Sequence, residues 1–242
     1  HQPRRQRQMC IRDRTNKMLS KKVKYIFTAY DKINNFFSTN TVFNFGNPIR
    51  NLKIKSNENA HKYFGLDSSK KTILVLGGSL GAKNINEGVL NNISLIRESS
   101  YQVIWQTGKF YYKNILSKNI KDKKIIIKDF INRMDLAYSV SDIIISRAGA
   151  IAISELCVIS KPLILVPSPN VVDDHQTKNA KAISEKGGCV LIKDSDAKNT
   201  MLKTAFDLFE NKSKMDSMKK SLSKLSSPNA TQKIVNKIYE II

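Results

Sequence analysis

Cysteine is scarce in this 242-residue chain: Cys10, Cys157 and Cys189 are odd in number, far apart and without Cys-x-x-Cys spacing. That excludes a disulfide framework and a thiolate zinc site, and it fits a reducing compartment. Long hydrophobic runs are absent too. No apolar stretch approaches the roughly 18 residues that span a bilayer, so the chain is expected to be soluble or peripheral to a membrane. The sequence holds no Gly-x-Gly-x-x-Gly dinucleotide fingerprint and no P-loop Gly-Lys-Ser/Thr. No cofactor and no bound metal are therefore expected. The Asp173-Asp174 pair reads as preceding and capping a helix that begins near His175.

Acidic residues are few, 20 against 41 Lys and Arg, which gives a formal charge of +21. Such an excess ordinarily points to nucleic acid or an acidic membrane surface. Only nine of the cations are Arg, however, and five of those (Arg4, Arg5, Arg7, Arg12, Arg14) fall in the first 14 residues. The lysines are spread along the chain, as on solvated faces, so a nucleic-acid partner is not expected. Residues 1–14 differ so sharply from the rest of the chain that they are read as extraneous or disordered, and the remainder carries +17.

What is present is 41% hydrophobic content, enough for a sizeable core, arranged as strands alternating with helical segments. Val23 to Ala29 and Thr41 to Phe45 read as short strands, the second ending in the turn-forming Gly46-Asn47-Pro48. From Ile73 the pattern is regular. Ile73–Leu76 is an unalternating apolar run, which suits a parallel strand buried on both faces, and Gln102–Gln106, Ile125–Phe130, Asp142–Ser146, Leu163–Val166 and Cys189–Ile192 read as further strands. Helices between them, and a helical tail from Ala197 broken at Pro228, give βαβ units of a doubly wound α/β sheet. Ligands then belong at the carboxyl ends of the strands. Ser79, Ile131, Ala148–Glu155 and His175–Asn179 all lie just after strand ends, along that rim.

The densest stretch is Ser141–Ala182. A strand running through Ser146-Arg147-Ala148-Gly149 into a helix leaves backbone N–H groups without partners beside a partial positive charge, which suits a phosphate. Glu155, one turn further in, cannot serve the same anion but can accept hydrogen bonds from a diol such as ribose. Gly77–Ala82 (GGSLGA) repeats the strand–turn–helix arrangement, with Ser79 able to cap the helix and donate to a phosphate oxygen. The plain alternative is that Arg147, Glu155 and His175 are surface polar groups and that GGSLGA is a tight turn.

Together GNPIR (46–50), GGSLGA (77–82), DF-I (129–131), SRAGA with SEL (146–156) and HQ-x-x-NA (175–180) resemble the MurG family, whose members transfer N-acetylglucosamine from its uridine diphosphate carrier to a lipid-linked muramyl-pentapeptide. The resemblance runs from about residue 20 to the C-terminus. It implies the C-terminal, donor-binding domain of a two-domain B-type glycosyltransferase fold with a Rossmann-like parallel sheet: 15–50 as the end of the N-terminal acceptor domain plus linker, and 51–242 as the nucleotide-sugar domain. By the same resemblance Arg50 and Ser79 meet the diphosphate side of the donor, the Ile131 backbone meets uracil, and Glu155 meets ribose. Gln176 meets the sugar hydroxyls, and backbone around Gly149, Ala150, Ile151 and Ser154 completes the phosphate cradle.

The implied partners are UDP-N-acetylglucosamine, a lipid-linked acceptor reached through the other domain, and the cytoplasmic face of a bacterial inner membrane as a peripheral contact. The family's GGTGGH loop and its catalytic histidine are not in this sequence, so no catalytic residue is assigned and donor binding without turnover is expected. Two positions depart from the family pattern: Leu80 replaces Gln, and Ser160 replaces the Gly before Lys161-Pro162. Other readings left open are a nucleotide-sugar epimerase or another transferase of the same fold, and a non-catalytic uridine-nucleotide or nucleic-acid module.

Overall fold

The computed structural model describes residues 18–29, 42–50, 58–171 and 174–241. Asp173 and residues 1–14, the segment expected from sequence to be extraneous or disordered, lie outside the described residues. Two short strands, β1 (Ile26–Thr28) and β2 (Val42–Asn44), pair in parallel with Phe27 opposite Phe43. They lie within the two stretches expected from sequence. Phe27, Phe43 and Phe45 stack, with centroids 5.5–5.8 Å apart for the two contacts to Phe45.

After α1 (Glu58–Phe64), the main sheet is built from β3 (Thr72–Leu76), β4 (Gln102–Gln106), β5 (Ile125–Lys128), β6 (Ile143–Ser146), β7 (Leu163–Leu165) and β8 (Val190–Leu191). Its order is β5-β4-β3-β6-β7-β8, every pair parallel. Renumbered within the sheet this is 3-2-1-4-5-6, the doubly wound order whose direction reverses between β3 and β6. The sequence reading of a Rossmann-like parallel sheet is correct.

The helices are α2 (Lys83–Leu90), α3 (Ile93–Glu98), α4 (Lys109–Leu116), α5 (Met134–Val140), α6 (Ala150–Ile159), α7 (His175–Ser184), α8 (Asp194–Phe209), α9 (Lys212–Leu225) and α10 (Ala230–Tyr239). The unalternating strands are explained by two cores. Leu74, Ile104, Ile144, Leu163 and Leu165 pack against α5, α6 and α7 on one face. Ile73, Val75, Val103, Ile143 and Ile145 pack against α2, α4 and α8 on the other. Each fully buried Leu or Ile is worth about 1.5–3 kcal/mol, so the strand interiors are apolar on both faces and the buried polar residues Thr72, Gln102, Gln106 and Ser146 fall at strand ends. Trp105 is fully buried and donates its Nε1–H to Asn86 Oδ1 at 2.9 Å, which keeps that indole from being an unsatisfied donor. α2 and α8 touch at Gly88, where an added Cβ would come within 2.7 Å of Met201.

The helical tail starts at Asp194 rather than Ala197, and it breaks at Asn211 as well as near Pro228. Asn211 makes the first break because its side chain accepts from the Lys214 N–H and so caps a new helix. α10 returns to the first strand pair: Lys237 Nζ lies 5.0 Å from the Phe43 ring centre. Gly46 has φ +87°, and a Cβ there would sit 2.5 Å from Ser227, so the GNP turn is pressed onto the α9–α10 junction. No helix among the described residues is long and apolar enough to cross a membrane.

The Gly-to-Ser departure before Lys161 falls where geometry matters. Ser160 is the C-cap of α6 at φ 52°, ψ 38°, in the left-handed region, and its Oγ donates to the Cys157 carbonyl at 2.6 Å. Gly removes the strain but loses the bond, whereas Ala keeps the strain and loses the bond. Ser160→Ala is therefore expected to be about 1 kcal/mol less stable than Ser160→Gly, a melting-temperature gap of about 2–4 °C. Equal melting of the two variants would show that the backbone there is not strained. Next to it, Lys161 donates to the carbonyls of Ser139 and Ser141, tying the end of α5 to the start of β6, while burial pushes its ammonium down to about 8.

Candidate functional site

At the reversal point β3 runs into Gly77–Ala82 and β6 into Arg147–Gly149, and the helices that follow pack on opposite faces of the sheet. A crevice between the two turns results from that topology. The N-caps of α2 and α6, Ala82 and Gly149, are extended, and neither helix has a side-chain cap. Ser79 does not cap α2, contrary to the sequence expectation, because it lies three positions before the cap residue Ala82. Nor does Asp174 cap α7 with its side chain: it sits at φ 49° with no cap hydrogen bond. Two helix N-termini thus bring first-turn N–H groups to one crevice.

The glycines there divide by cause. Gly81 (φ +90°) and Gly108 (φ +80°) cross so closely that a Cβ on either would lie 2.1–2.3 Å from backbone of the other turn, which locks the turn after β3 to the turn after β4. Gly149 has neither constraint. Its φ is −67°, and a Cβ would meet nothing within 4 Å. The space before α6 is open to an incoming group.

Glu155 lies in the second turn of α6 and is nearly buried, its side chain 10% exposed. It is therefore not a surface polar group, and as α6 has no acid in its first turn, Glu155 is not placed to serve the helix dipole. Both carboxylate oxygens are engaged by Arg50, with Nε donating to Oε1 and Nη2 to Oε2, each at 2.8 Å. Tyr138 adds its hydroxyl to Oε2 at 3.3 Å. Burial first, then the charge of Glu155, pushes the Tyr138 phenol well above its usual pKa, so it remains a donor. One residue earlier, Ser154 Oγ accepts from Asn47 Nδ2 at 2.9 Å and donates to the Ala150 carbonyl at 3.0 Å. Two residues of the GNPIR turn thus grip two consecutive residues of α6. In sequence Asn47 was only a turn former and Tyr138 had no role, because partners 107 and 17 residues away leave no local signal.

The other expected site residues lie around this cluster. Ile131 is buried at the end of the β5 turn, and its N–H donates to Gln106 Oε1 at 3.0 Å. Gln176, in the first turn of α7, accepts from the N–H groups of Ala148 (3.2 Å) and Ser168 (2.9 Å) through Oε1. Asn179, three residues on, donates to the Ala148 carbonyl at 3.3 Å. The HQ-x-x-NA spacing therefore clamps both backbone groups of Ala148 from one helix face. Ile151 and Ser79 are exposed, and the Ser79 carbonyl accepts from the Lys109 N–H, a second tie between the turns after β3 and β4. His175 opens α7.

Arg147 is not a surface group. Its Nη1 donates to the carbonyls of Val166 and Pro167 at 3.1 Å and to Asp194 Oδ1 at 2.5 Å, and Asp194 Oδ2 accepts from Asn84 Nδ2 at 2.6 Å. This bracket ties the turn after β6 to the end of β7, to α8 and to α2.

Comparison with known proteins agrees with this fold. The model of the glycosyltransferase family 28 C-terminal domain matches residues 72–234. A UDP-N-acetylglucosamine--N-acetylmuramyl-(pentapeptide) pyrophosphoryl-undecaprenol N-acetylglucosamine transferase of Cytophaga hutchinsonii is 44% identical over 230 residues, 94% of this chain and 62% of that protein. A relative of the same name from Parabacteroides distasonis is 42% identical over 94% of this chain and 63% of its own length. This chain thus spans a little over three fifths of the length of these curated relatives. Among solved structures, MurG of Acinetobacter baumannii superposes with a TM-score of 0.70 at 28% identity, covering 93% of this chain and 63% of that one. A UDP-N-acetylglucosamine 2-epimerase described from Listeria monocytogenes gives 0.59 at 15% identity, covering 82% of this chain and 53% of that one, a likeness of fold alone.

Proposed function

Since the chain belongs to glycosyltransferase family 28, we propose that it is the donor-binding part of an inverting transferase that moves N-acetylglucosamine from its uridine diphosphate carrier to a lipid-linked muramyl-pentapeptide. Residues 51–242 form the nucleotide-sugar domain, and 15–50 the end of the acceptor domain with its linker. The observation that supports this best is the pairing of two side-chain-uncapped helix N-termini with a nearly buried carboxylate one turn inside α6. The helix ends suit a diphosphate, the open face of Gly149 admits it, and Glu155 suits the ribose.

Backbone of Gly149, Ala150, Ile151 and Ser154 lines the phosphates, with Ser79 facing them from the β3 side and Arg50 within reach. Ile131 presents its backbone to uracil, and Gln176 its amide to the sugar. Displacing the diphosphate requires stabilising the leaving group and activating the acceptor hydroxyl. The helix ends and Arg50 serve the first need. The base, the lipid-linked acceptor site and the peripheral contact with the cytoplasmic face of the inner membrane belong to the acceptor domain.

Calorimetry on this chain is expected to give binding of uridine diphosphate and of its N-acetylglucosamine conjugate in the micromolar to millimolar range, with no turnover of the conjugate. Half of a two-domain cleft binds weakly because the opposite wall neither excludes water nor orders the loops. A folded chain that gives no heat at millimolar nucleotide would sink the proposal.

A further inference from the structure

We propose that Arg50 is a stand-in for the ribose diol at Glu155, so that a nucleotide enters by exchanging two hydroxyl donors for the two guanidinium donors. This rests on the reading of Glu155 as the ribose acceptor. The Arg50 fork approaches the carboxylate through two N–H groups, one to each oxygen, and Tyr138 takes a further position on Oε2. With the Glu155 side chain only 10% exposed, little water can substitute for a donor that leaves. A ligand with two adjacent hydroxyls replaces both donors. A ligand with one leaves an oxygen of a nearly buried carboxylate without its partner.

The two sides of the ion pair are unequal in a way that suits exchange. Arg50 is 51% exposed and can swing into water at small cost, whereas Glu155 is fixed in the second turn of α6. The bond from Asn47 to Ser154 holds the linker beside the site whether or not Arg50 is paired. The released guanidinium thus stays within reach of an anion at the α6 N-terminus, and a ligand's phosphates recover what its ribose displaces. A nucleoside without phosphates has to displace Arg50 with nothing gained in return.

The exchange therefore gives Arg50→Ala opposite signs for two ligands, read by titrating the full chain at pH 8 with uridine and with uridine diphosphate. Removing the competitor is expected to tighten uridine by about three- to ten-fold, the scale of a partly exposed ion pair expressed as the fraction of open sites. Uridine diphosphate is expected to gain nothing or to weaken, so the ratio between the two ligands narrows. Glu155→Ala serves as the reference. It weakens uridine if the ribose reading holds, and if it leaves uridine and uridine diphosphate unchanged, that reading fails and the exchange with it. If Glu155→Ala weakens uridine while Arg50→Ala leaves it unchanged, weaker or undetectable, the ribose site stands and the stand-in role is overturned. Melting temperatures within a few degrees of the parent confirm that the variants compared are folded.

Discussion

Replacing Glu155 with Ala is expected to weaken uridine diphosphate binding by ten-fold or more. A hydrogen bond to a charged acceptor is worth roughly 1.5–3 kcal/mol, and a diol makes two. Part of that gain is spent on displacing Arg50 from the same oxygens, so the net loss is less than the two bonds in full. About 1.4 kcal/mol suffices for ten-fold. The 2′-deoxy analogue is expected to bind the parent chain more weakly than the ribose form, and Glu155→Ala is expected to erase most of that preference. Stability should respond far less. The carboxylate's principal partner, Arg50, is half exposed, so an unpaired guanidinium returns to water, and the main cost is the buried Tyr138 hydroxyl left without its acceptor. Calorimetry with both nucleotides and a thermal melt of the same variant separate the outcomes. A lowered melting temperature with the ribose preference intact would make Glu155 a purely structural partner of Arg50 and Tyr138.

The fold was legible because a parallel sheet covered on both faces writes itself as unbroken apolar runs, and Ile73–Leu76 and Ile143–Ile145 are such runs. The rim came from topology, since any residue just after a strand end in this order lies near the reversal point. Individual side-chain roles were less legible. Arg147 and Glu155 stand eight residues apart and read alike in sequence as polar groups beside a glycine turn. They differ only in what the chain brings to them from afar: Asp194 and Asn84 for Arg147, Arg50 and Tyr138 for Glu155. Asn47 looked like a turn former and Gln176 like a ligand, yet Asn47 reaches Ser154 and the Gln176 carbonyl is committed to the Ala148 and Ser168 backbone. Spacing places residues on one face of an element, but the partner across the crevice is set by tertiary packing.

Arg147→Ala is expected to have the largest effect on stability of any single change near the site. The Arg147 and Asp194 side chains are 17% and 13% exposed, so the pair is largely desolvated. Removing the guanidinium strips the Val166 and Pro167 carbonyls of a donor and leaves the Asp194 carboxylate with Asn84 and the α8 N-terminus as its remaining compensation. Breaking a buried pair from one side costs roughly 3–5 kcal/mol, and a favourable helix dipole returns only about 0.3–1 kcal/mol of it. At about 2–4 °C per kcal/mol for a chain of this size, the remaining roughly 2–4.7 kcal/mol should lower the melting temperature by roughly 4–19 °C. Arg147→Lys keeps the charge, but all three bonds come from Nη1, one bond further along the side chain than a Lys ammonium reaches, so it should recover only part of the loss. In the Arg147→Ala/Asp194→Ala double variant no charge is left stranded, and its destabilisation should be smaller than the sum of the single ones. At a temperature where all variants are folded, uridine diphosphate should bind Arg147→Ala more tightly than it binds Glu155→Ala, because the bracket shapes the turn without touching the nucleotide. If Arg147→Ala melts like the parent but loses the nucleotide, Arg147 is a ligand residue and the bracket is incidental.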